Sequence, residues 1–68
     1  MDYVQLGKRV RFIRRCQDIT QEQLAEKMGV STSFVGHIER GTRVLSVETL
    51  YKLCTALGIS ADYLMGLK

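Results

Sequence analysis

Small hydrogen-bonding side chains and one imidazole share one side of a short helical segment that begins after Ser31. On a wheel at about 100° per residue, this acid-free arc holds Thr32, Ser33, Gly36, His37 and Arg40. A solvated helix face usually mixes Glu with Lys, whereas hydroxyls and an imidazole can donate or accept at DNA base edges. We expect Thr32, Ser33 and His37 to contact bases and Gly36 to allow close approach. A neutral surface without a partner is the alternative.

Residues that flank this face have the chemistry of phosphate contacts. Gln21 lies in the first turn of a predicted helix, where free backbone N–H groups and the helix dipole favour an anion. Arg40, at the end of the face, and Thr42 and Arg43, just past Gly41, offer a hydroxyl and two guanidinium groups. Such contacts would position the protein on DNA, while the helix face would supply specificity.

The charge distribution also favours a polyanionic partner. The net charge is +3, and the first fifteen residues carry five cations against Asp2 alone, whereas the remainder is close to neutral. A basic first element on a neutral body suits nucleic acid. A cationic helix is also often only a solvated face, so charge by itself leaves both interpretations open.

Five helices can position these groups, because periodicity near 3.6 recurs along the chain and strand-like alternation is absent. The first helix runs from about Tyr3 to Cys16, and its inward-facing residues are Leu6, Val10 and Ile13. The N-cap candidates of the other four are Thr20 (with Gln23 as its capping-box partner), Ser31, Ser46 and Ser60. The predicted helix ends are Met28, Arg40, Leu57 and Met65, each followed by glycine. The sequence predicts a single all-α domain over residues 1–68.

A turn of only Gly29, Val30 and Ser31 joins the second and third helices. So short a connection makes the helices cross steeply, which is the geometry of a helix-turn-helix. Ala25 is small enough for the two axes to approach. Glu39 lies at the margin of the apolar arc and needs a cation, for which Arg14 is the candidate; exposure of both is the alternative.

Several other classes of function find no support in the sequence. The chain has two cysteines, Cys16 and Cys54, and one histidine, which are too few and too scattered for a zinc site. We interpret Cys54 as a small buried hydrophobic residue. No acid pair, glycine-rich phosphate loop or nucleophile beside a base indicates an enzyme, a cofactor or a small-molecule ligand. No apolar run approaches the roughly 18 residues of a membrane span, and no signal peptide is evident. We therefore expect a cytoplasmic protein.

Six segments together resemble the phage-repressor-like (Cro/Xre type) helix-turn-helix family. They are TQEQLA from residue 20, GVS from 29, IERG from 38, SVETL from 46, ALGIS from 56 and DYL from 62. The resemblance covers nearly the whole chain. Three positions depart from the family pattern. Asp18 stands where the family often has glycine, and Leu45 stands where it often has proline. Gly36 lies inside the third helix, which it destabilises by about 1 kcal/mol relative to alanine.

The resemblance implies a five-helix lambda-repressor-like domain whose third helix enters the DNA major groove. It further implies a homodimer on a near-palindromic operator and a role as a transcriptional repressor. By position, the family's base contacts fall on Thr32, Ser33 and His37, and its phosphate contacts fall on Gln21 and Arg43. Arg14 and Glu39 match a recurring ion pair.

A protein-interaction module of the same fold, such as an antitoxin or an adaptor, is the alternative function. Its chief support is Phe12, which is expected to be partly exposed on a helix whose inward face is already filled. The fifth helix is the candidate dimer interface, through Tyr63, Leu64, Met65 and Leu67. If Leu64 belongs instead to the core of the monomer, its mutation would unfold the domain.

Overall fold

The computed structural model describes residues 1–67, in which five helices form and no strand does. The helices are α1 (Tyr3–Cys16), α2 (Gln21–Met28), α3 (Thr32–Arg40), α4 (Val47–Leu57) and α5 (Ala61–Met65). The all-α class is therefore confirmed, and every predicted helix lies where the sequence placed it. Helix α1 packs against α3 and α5, α2 packs against α3 and α4, and α4 packs against α5.

Local side-chain contacts explain where the helices begin. The Thr20 hydroxyl accepts from the backbone N–H of Gln23, and the Gln23 side chain accepts in return from the N–H of Thr20, at 3.0 and 2.8 Å. This reciprocal pair is the predicted capping box, and the serines before α3, α4 and α5 cap their helices as expected. Asp2 caps α1, which the sequence analysis did not foresee.

Asp18 carries the backbone out of α1 in a conformation that few side chains adopt. Its φ is +57°, and it is the one non-glycine with positive φ among the described residues. The frequent family glycine at this position is thus replaced by a residue that tolerates the left-handed region better than most. The departure leaves the turn intact.

The core is a single cluster of aliphatic side chains drawn from all five helices and the loop before α4. Its buried members are Leu6, Val10, Ile13, Leu24, Ala25, Met28, Val35, Ile38, Leu45, Leu53, Leu57 and Leu64. Leu45, at the frequent proline position, is thus anchored by burial. Cys54 packs against this cluster half-buried, and burial raises the pKa of its thiol.

Leu64 corrects one expectation about the fifth helix. Its side chain is completely buried in the monomer, so it cannot contribute to an interface between copies. Tyr63 and Leu67 are exposed, and Met65 is half-buried. The sequence pattern did not separate these residues because a five-residue helix is too short to display a clear buried face.

Gly7 lets α1 approach the end of α3 at backbone distance. A Cβ at this position would lie 2.5 Å from the carbonyl oxygen of Glu39 and closer still to that of Ile38. Neither oxygen can move without shifting α3, since both belong to its backbone. A glycine inside a helical pattern was the signal that could have identified this contact from the sequence.

Gly7→Ala should destabilise the protein by at least about 2 kcal/mol, because overpacking against backbone outweighs the better helix propensity of alanine. Urea denaturation followed by circular dichroism measures the change in the free energy of unfolding. Gln5→Ala is the matched control, since Gln5 is exposed on the same helix. Equal stability of Gly7→Ala and the wild type would contradict the close approach of α1 to α3.

Candidate nucleic-acid interface

The turn between α2 and α3 is built by three successive local contacts. Gly29 adopts a left-handed φ of +71°, which ends α2 abruptly. The N–H of Val30 then donates to the carbonyl of Ala25 at 3.0 Å, and the Ser31 hydroxyl accepts from the N–H of Phe34 at 3.1 Å. Ala25 is buried between the helices, as expected. Together these contacts fix α3 relative to α2 as a helix-turn-helix.

Helix α3 divides into a buried apolar side and an exposed polar side. Val35 and Ile38 are buried in the core, whereas Thr32 and Ser33 are exposed near the start of the helix. This division matches the two arcs of the helical wheel. Of the face predicted to contact bases, Thr32, Ser33 and Arg40 are exposed, His37 is half-buried and Gly36 is buried.

Gly36 lies on the polar side of α3, but it is covered by the side chain of Arg40. A Cβ at Gly36 would come 3.0 Å from Nη1 of Arg40, which is the end of a flexible side chain. Gly36 is buried and Arg40 is exposed. Because Gly36 has no side chain, the guanidinium of Arg40 can lie against the helix at this position. A DNA base could approach Gly36 only after the Arg40 side chain moves away.

His37 and Thr42 are joined by a side-chain contact at the end of α3. His37 Nδ1 lies 2.9 Å from Thr42 Oγ1, and the same hydroxyl donates to the His37 carbonyl oxygen at 3.2 Å. The imidazole is half-buried, while Thr42 is exposed. The hydroxyl predicted to contact a phosphate is thus engaged within the protein.

Arg43 is held over an aromatic ring of α3. Its Cζ atom lies 5.8 Å from the ring centroid of Phe34, which is the geometry of a cation–π contact. The contact holds the guanidinium beside Phe34, near the start of α3, while leaving Arg43 exposed. The sequence does not reveal this contact, because cation–π partners on different elements leave no periodic signal.

Arg14 and Glu39 form a buried ion pair, as the sequence predicted. Arg14 Nε and Nη2 donate to the two carboxylate oxygens of Glu39 at 2.6 and 3.1 Å. Arg14 Nη1 also donates to the carbonyl oxygen of Ile19 at 2.8 Å. The alternative in which both side chains are exposed is wrong, since 7% and 8% of their surfaces are accessible.

Gln21 extends this pair into a network. Its Nε2 donates to Glu39 Oε1 at 3.1 Å, so one carboxylate oxygen accepts from both Arg14 and Gln21. The second N–H of the Gln21 amide and its carbonyl oxygen stay available for a further partner. Gln21 is the first residue of α2, and the network orients its side chain at the position where it was predicted to meet a phosphate.

Arg15 is a cation near this site that sequence reasoning did not single out. It lines a surface groove with Gln21 and Thr32, together with the acidic residues Asp18 and Glu22. The charge count included Arg15 only as part of a basic helix. Its proximity to Gln21 depends on how α1 crosses α2, which no local pattern reports.

Within residues 1–67, no group of three His, Cys, Asp or Glu side chains is arranged to hold a metal ion. Both cysteines are free there, with Cys16 exposed and Cys54 half-buried. In that same part of the chain, no helix has the length and apolar character needed to cross a bilayer.

Comparison with known proteins identifies relatives along most of the chain. Residues 10–64 match a family model described as helix-turn-helix. The HTH-type transcriptional regulator YazB of Bacillus subtilis is 41% identical over 58 residues, which cover 85% of this chain and 84% of YazB. The immunity repressor protein of Bacillus phage phi105 is 39% identical over 90% of this chain, which spans only 42% of that repressor.

Solved structures share the arrangement of the five helices. The restriction-modification controller protein C.AhdI from Aeromonas hydrophila superimposes with a TM-score of 0.89 at 41% identity, covering 93% of this chain and 96% of C.AhdI. The P22 c2 repressor protein, solved in complex with a synthetic operator, gives a TM-score of 0.81 at 36% identity over 87% of this chain and 89% of the repressor. These proteins are regulators, and the family to which they point is not one of enzymes.

Glu39→Ala should destabilise the protein by about 3–5 kcal/mol, because it leaves the Arg14 guanidinium buried without its counter-ion. The double variant Arg14→Met with Glu39→Leu should recover most of that loss, since apolar side chains of similar size need no partner. Guanidinium denaturation of the wild type, Arg14→Met, Glu39→Leu and the double variant completes the cycle.

Glu48→Ala is the control, because it breaks only the exposed contact with Lys52 at 3.5 Å. That loss should stay below about 1 kcal/mol. A similar cost for Glu39→Ala and Glu48→Ala would show that the Arg14–Glu39 pair does not anchor the helices.

Proposed function

The chain belongs to the phage-repressor-like (Cro/Xre type) helix-turn-helix family of transcription regulators, and on this premise we propose that it is a repressor. It binds double-stranded DNA in a sequence-specific manner as a homodimer on a near-palindromic operator. Helix α3 enters the major groove of each half-site. A DNA target is the reason to propose a cytoplasmic location.

The observation that carries this proposal is the surface that α3 exposes. The only carboxylate of α3 belongs to Glu39, and its side chain is turned inward onto Arg14. Burial of this pair removes the one negative charge that would repel DNA from the helix. The groups that stay exposed are the hydroxyls of Thr32 and Ser33 and the guanidinium of Arg40. These groups suit a polyanion with hydrogen-bonding base edges.

Base reading and backbone positioning fall to different residues. We assign base contacts to Thr32, Ser33 and His37, with Gly36 allowing close approach, because these side chains lie along the polar side of α3. We assign phosphate contacts to Gln21, Arg40 and Arg43, which surround the helix; the hydroxyl of Thr42, also expected to meet a phosphate, is engaged with His37 instead. The support for Arg43 is its position over Phe34, which holds the guanidinium beside the groove-facing helix.

Exposed apolar side chains supply a surface for the second copy. Tyr63 and Leu67 are 51% and 70% exposed at the end of the chain, and Val47 and Tyr51 are 83% and 70% exposed on α4. Exposed apolar side chains gathered on neighbouring elements mark interaction surfaces in small proteins. Two copies joined there would bind half-sites roughly 34 Å apart.

A protein-interaction module is the second candidate, and one observation favours it. Phe12 is 65% exposed on α1, as expected, and it lines a shallow groove with Lys8, Arg11 and Arg15. An exposed aromatic ring among cations fits an acidic protein partner. This surface can coexist with DNA binding, because Phe12 is not part of the helix-turn-helix.

His37→Ala should weaken binding to the preferred site by about 1–3 kcal/mol and relax the preference at one base position in each half-site. Arg43→Ala should weaken binding to all duplexes alike and reduce the slope of log affinity against log salt by about one unit. The preferred site comes from selection against a random DNA pool. Titrations of both variants against that site and a scrambled duplex then separate the two roles.

Both variants must first be shown to fold, for which their circular dichroism spectra suffice. Full discrimination by folded His37→Ala would show that His37 does not read a base. A salt slope near zero for the wild type would contradict the phosphate contacts altogether.

Two copies should bind one operator, and Tyr63→Ser should reduce that stoichiometry by weakening the association of the copies. Since Tyr63 is half exposed, its replacement should leave the monomer folded. Analytical ultracentrifugation of the free protein and its DNA complex gives the number of copies. Phe12→Ser is the comparison, because Phe12 is 65% exposed on α1 and lines one groove with Tyr63. A change with Phe12→Ser alone would move the interface to α1, and a monomer on DNA throughout would rule out the dimer.

A further inference from the structure

One hydroxyl group, that of Thr42, contacts two atoms of the same residue. Its oxygen lies 2.9 Å from Nδ1 of His37 and 3.2 Å from the carbonyl oxygen of His37. The backbone N–H of Thr42 donates to that carbonyl as well, at 3.1 Å. Thr42 is therefore held against His37 by three contacts, of which two involve the hydroxyl.

The two hydroxyl contacts together favour one position of the ring proton, at a carbonyl that also accepts from the backbone N–H groups of Gly41 and Thr42. A hydroxyl has one proton to donate and lone pairs to accept with, and a carbonyl oxygen can only accept. The Thr42 hydroxyl must therefore donate to the carbonyl if that contact is a hydrogen bond. It then has only lone pairs to offer to Nδ1, so Nδ1 must be the donor.

The other tautomer satisfies fewer contacts. With the proton on Nε2, Nδ1 would be an acceptor, and the Thr42 hydroxyl would have to turn its proton toward the ring. Two oxygens without a proton between them would then face each other at 3.2 Å. The Nδ1–H tautomer makes both contacts hydrogen bonds, and a hydrogen bond from one ring nitrogen is the usual way in which proteins set a histidine tautomer.

We propose that Thr42 is a specificity-determining residue that holds neutral His37 in the Nδ1–H tautomer, so that Nε2 accepts a hydrogen bond from an exocyclic amino group of a DNA base. This inference rests on the proposed function, because it requires His37 to face the major groove. Thr42 acts through His37 and does not touch the base. Its hydroxyl proton is committed to the His37 carbonyl, so a role in base selection replaces the phosphate contact expected for its side chain.

The direction of the hydrogen bond restricts which bases fit. In the major groove, adenine N6 and cytosine N4 are donors, whereas guanine and thymine offer acceptors at the corresponding edges. A ring nitrogen that only accepts therefore favours adenine or cytosine at the base that His37 contacts. In the opposite tautomer, Nε2 would donate and would favour guanine or thymine.

The tautomer can be measured without DNA. His37 is the only histidine of the chain, so the ¹⁵N-labelled full chain gives one imidazole spin system whose nitrogen shifts identify the protonated atom. The spectra are recorded at about pH 8.5, above the range in which histidine side chains ordinarily titrate. We expect Nδ1–H in the wild type and in Thr42→Ser, which keeps the hydroxyl. Thr42→Val keeps the shape without the hydroxyl and should populate Nε2–H.

Binding is measured at the same pH on the selected operator and on one changed only at the base that His37 reads. That base is the one at which His37→Ala relaxes the preference. Purine in place of adenine, or 2-pyrimidinone in place of cytosine, removes the amino group alone. The wild type and Thr42→Ser should lose about two- to tenfold in affinity, which is the range for one hydrogen bond. Thr42→Val should be nearly indifferent to the replacement.

Different outcomes overturn different parts of the inference. Nε2–H in the wild type, or an unchanged amino dependence in Thr42→Val, would overturn the role of Thr42 even when the operator is bound. A guanine or thymine at the position that His37 reads would overturn the accepting role of Nε2. The Nδ1–H tautomer without binding to any duplex would overturn the proposed function, and the base-reading step with it.

Discussion

The buried pair of Arg14 with Glu39 is the interaction on which the arrangement of the first three helices depends. One guanidinium reaches the carboxylate of α3 and the backbone carbonyl of Ile19 just before α2, and Gln21 at the start of α2 shares the same carboxylate. A buried pair contributes little net stability compared with apolar side chains of the same size. What it supplies here is position, because an unpaired charge makes any other packing of these helices costly.

The same pair explains how an acid can belong to the helix that we propose to face DNA. Glu39 stands one residue before the exposed Arg40, and in water its charge would repel phosphates. Turned inward, it neutralises a cation of α1 and leaves the outer surface of α3 without a carboxylate. Gly7 makes this geometry possible, since the backbone of α1 can approach the carbonyls of Ile38 and Glu39 only where no Cβ intervenes.

Features of this fold that depend on residues close together in the sequence were predictable. Features that depend on how the helices pack against one another were mostly not. The capping box at Thr20 and the left-handed Gly29 are local, so their residue types indicate the helix ends. The burial of Leu64 depends on where a distant helix lies, and the position of Arg15 beside Gln21 depends on the angle between α1 and α2. The Arg14–Glu39 pair was predictable because an acid at the edge of an apolar arc needs a cation, and the family resemblance implies a recurring ion pair at these two positions.

The polar side chains around α3 differ in how firmly the protein holds them. His37 is bonded to Thr42, Arg43 lies over Phe34, and Gln21 is bonded to Glu39. Groups held before binding lose less conformational entropy when they meet DNA. In the part of the chain that the structure describes, Thr32 and Ser33 have no such side-chain partner, and a hydroxyl that rotates freely can donate or accept. Recognition should therefore be stringent where His37 reads and permissive where the two hydroxyls do, because a side chain with one fixed hydrogen-bonding role rejects more bases than one that can exchange roles.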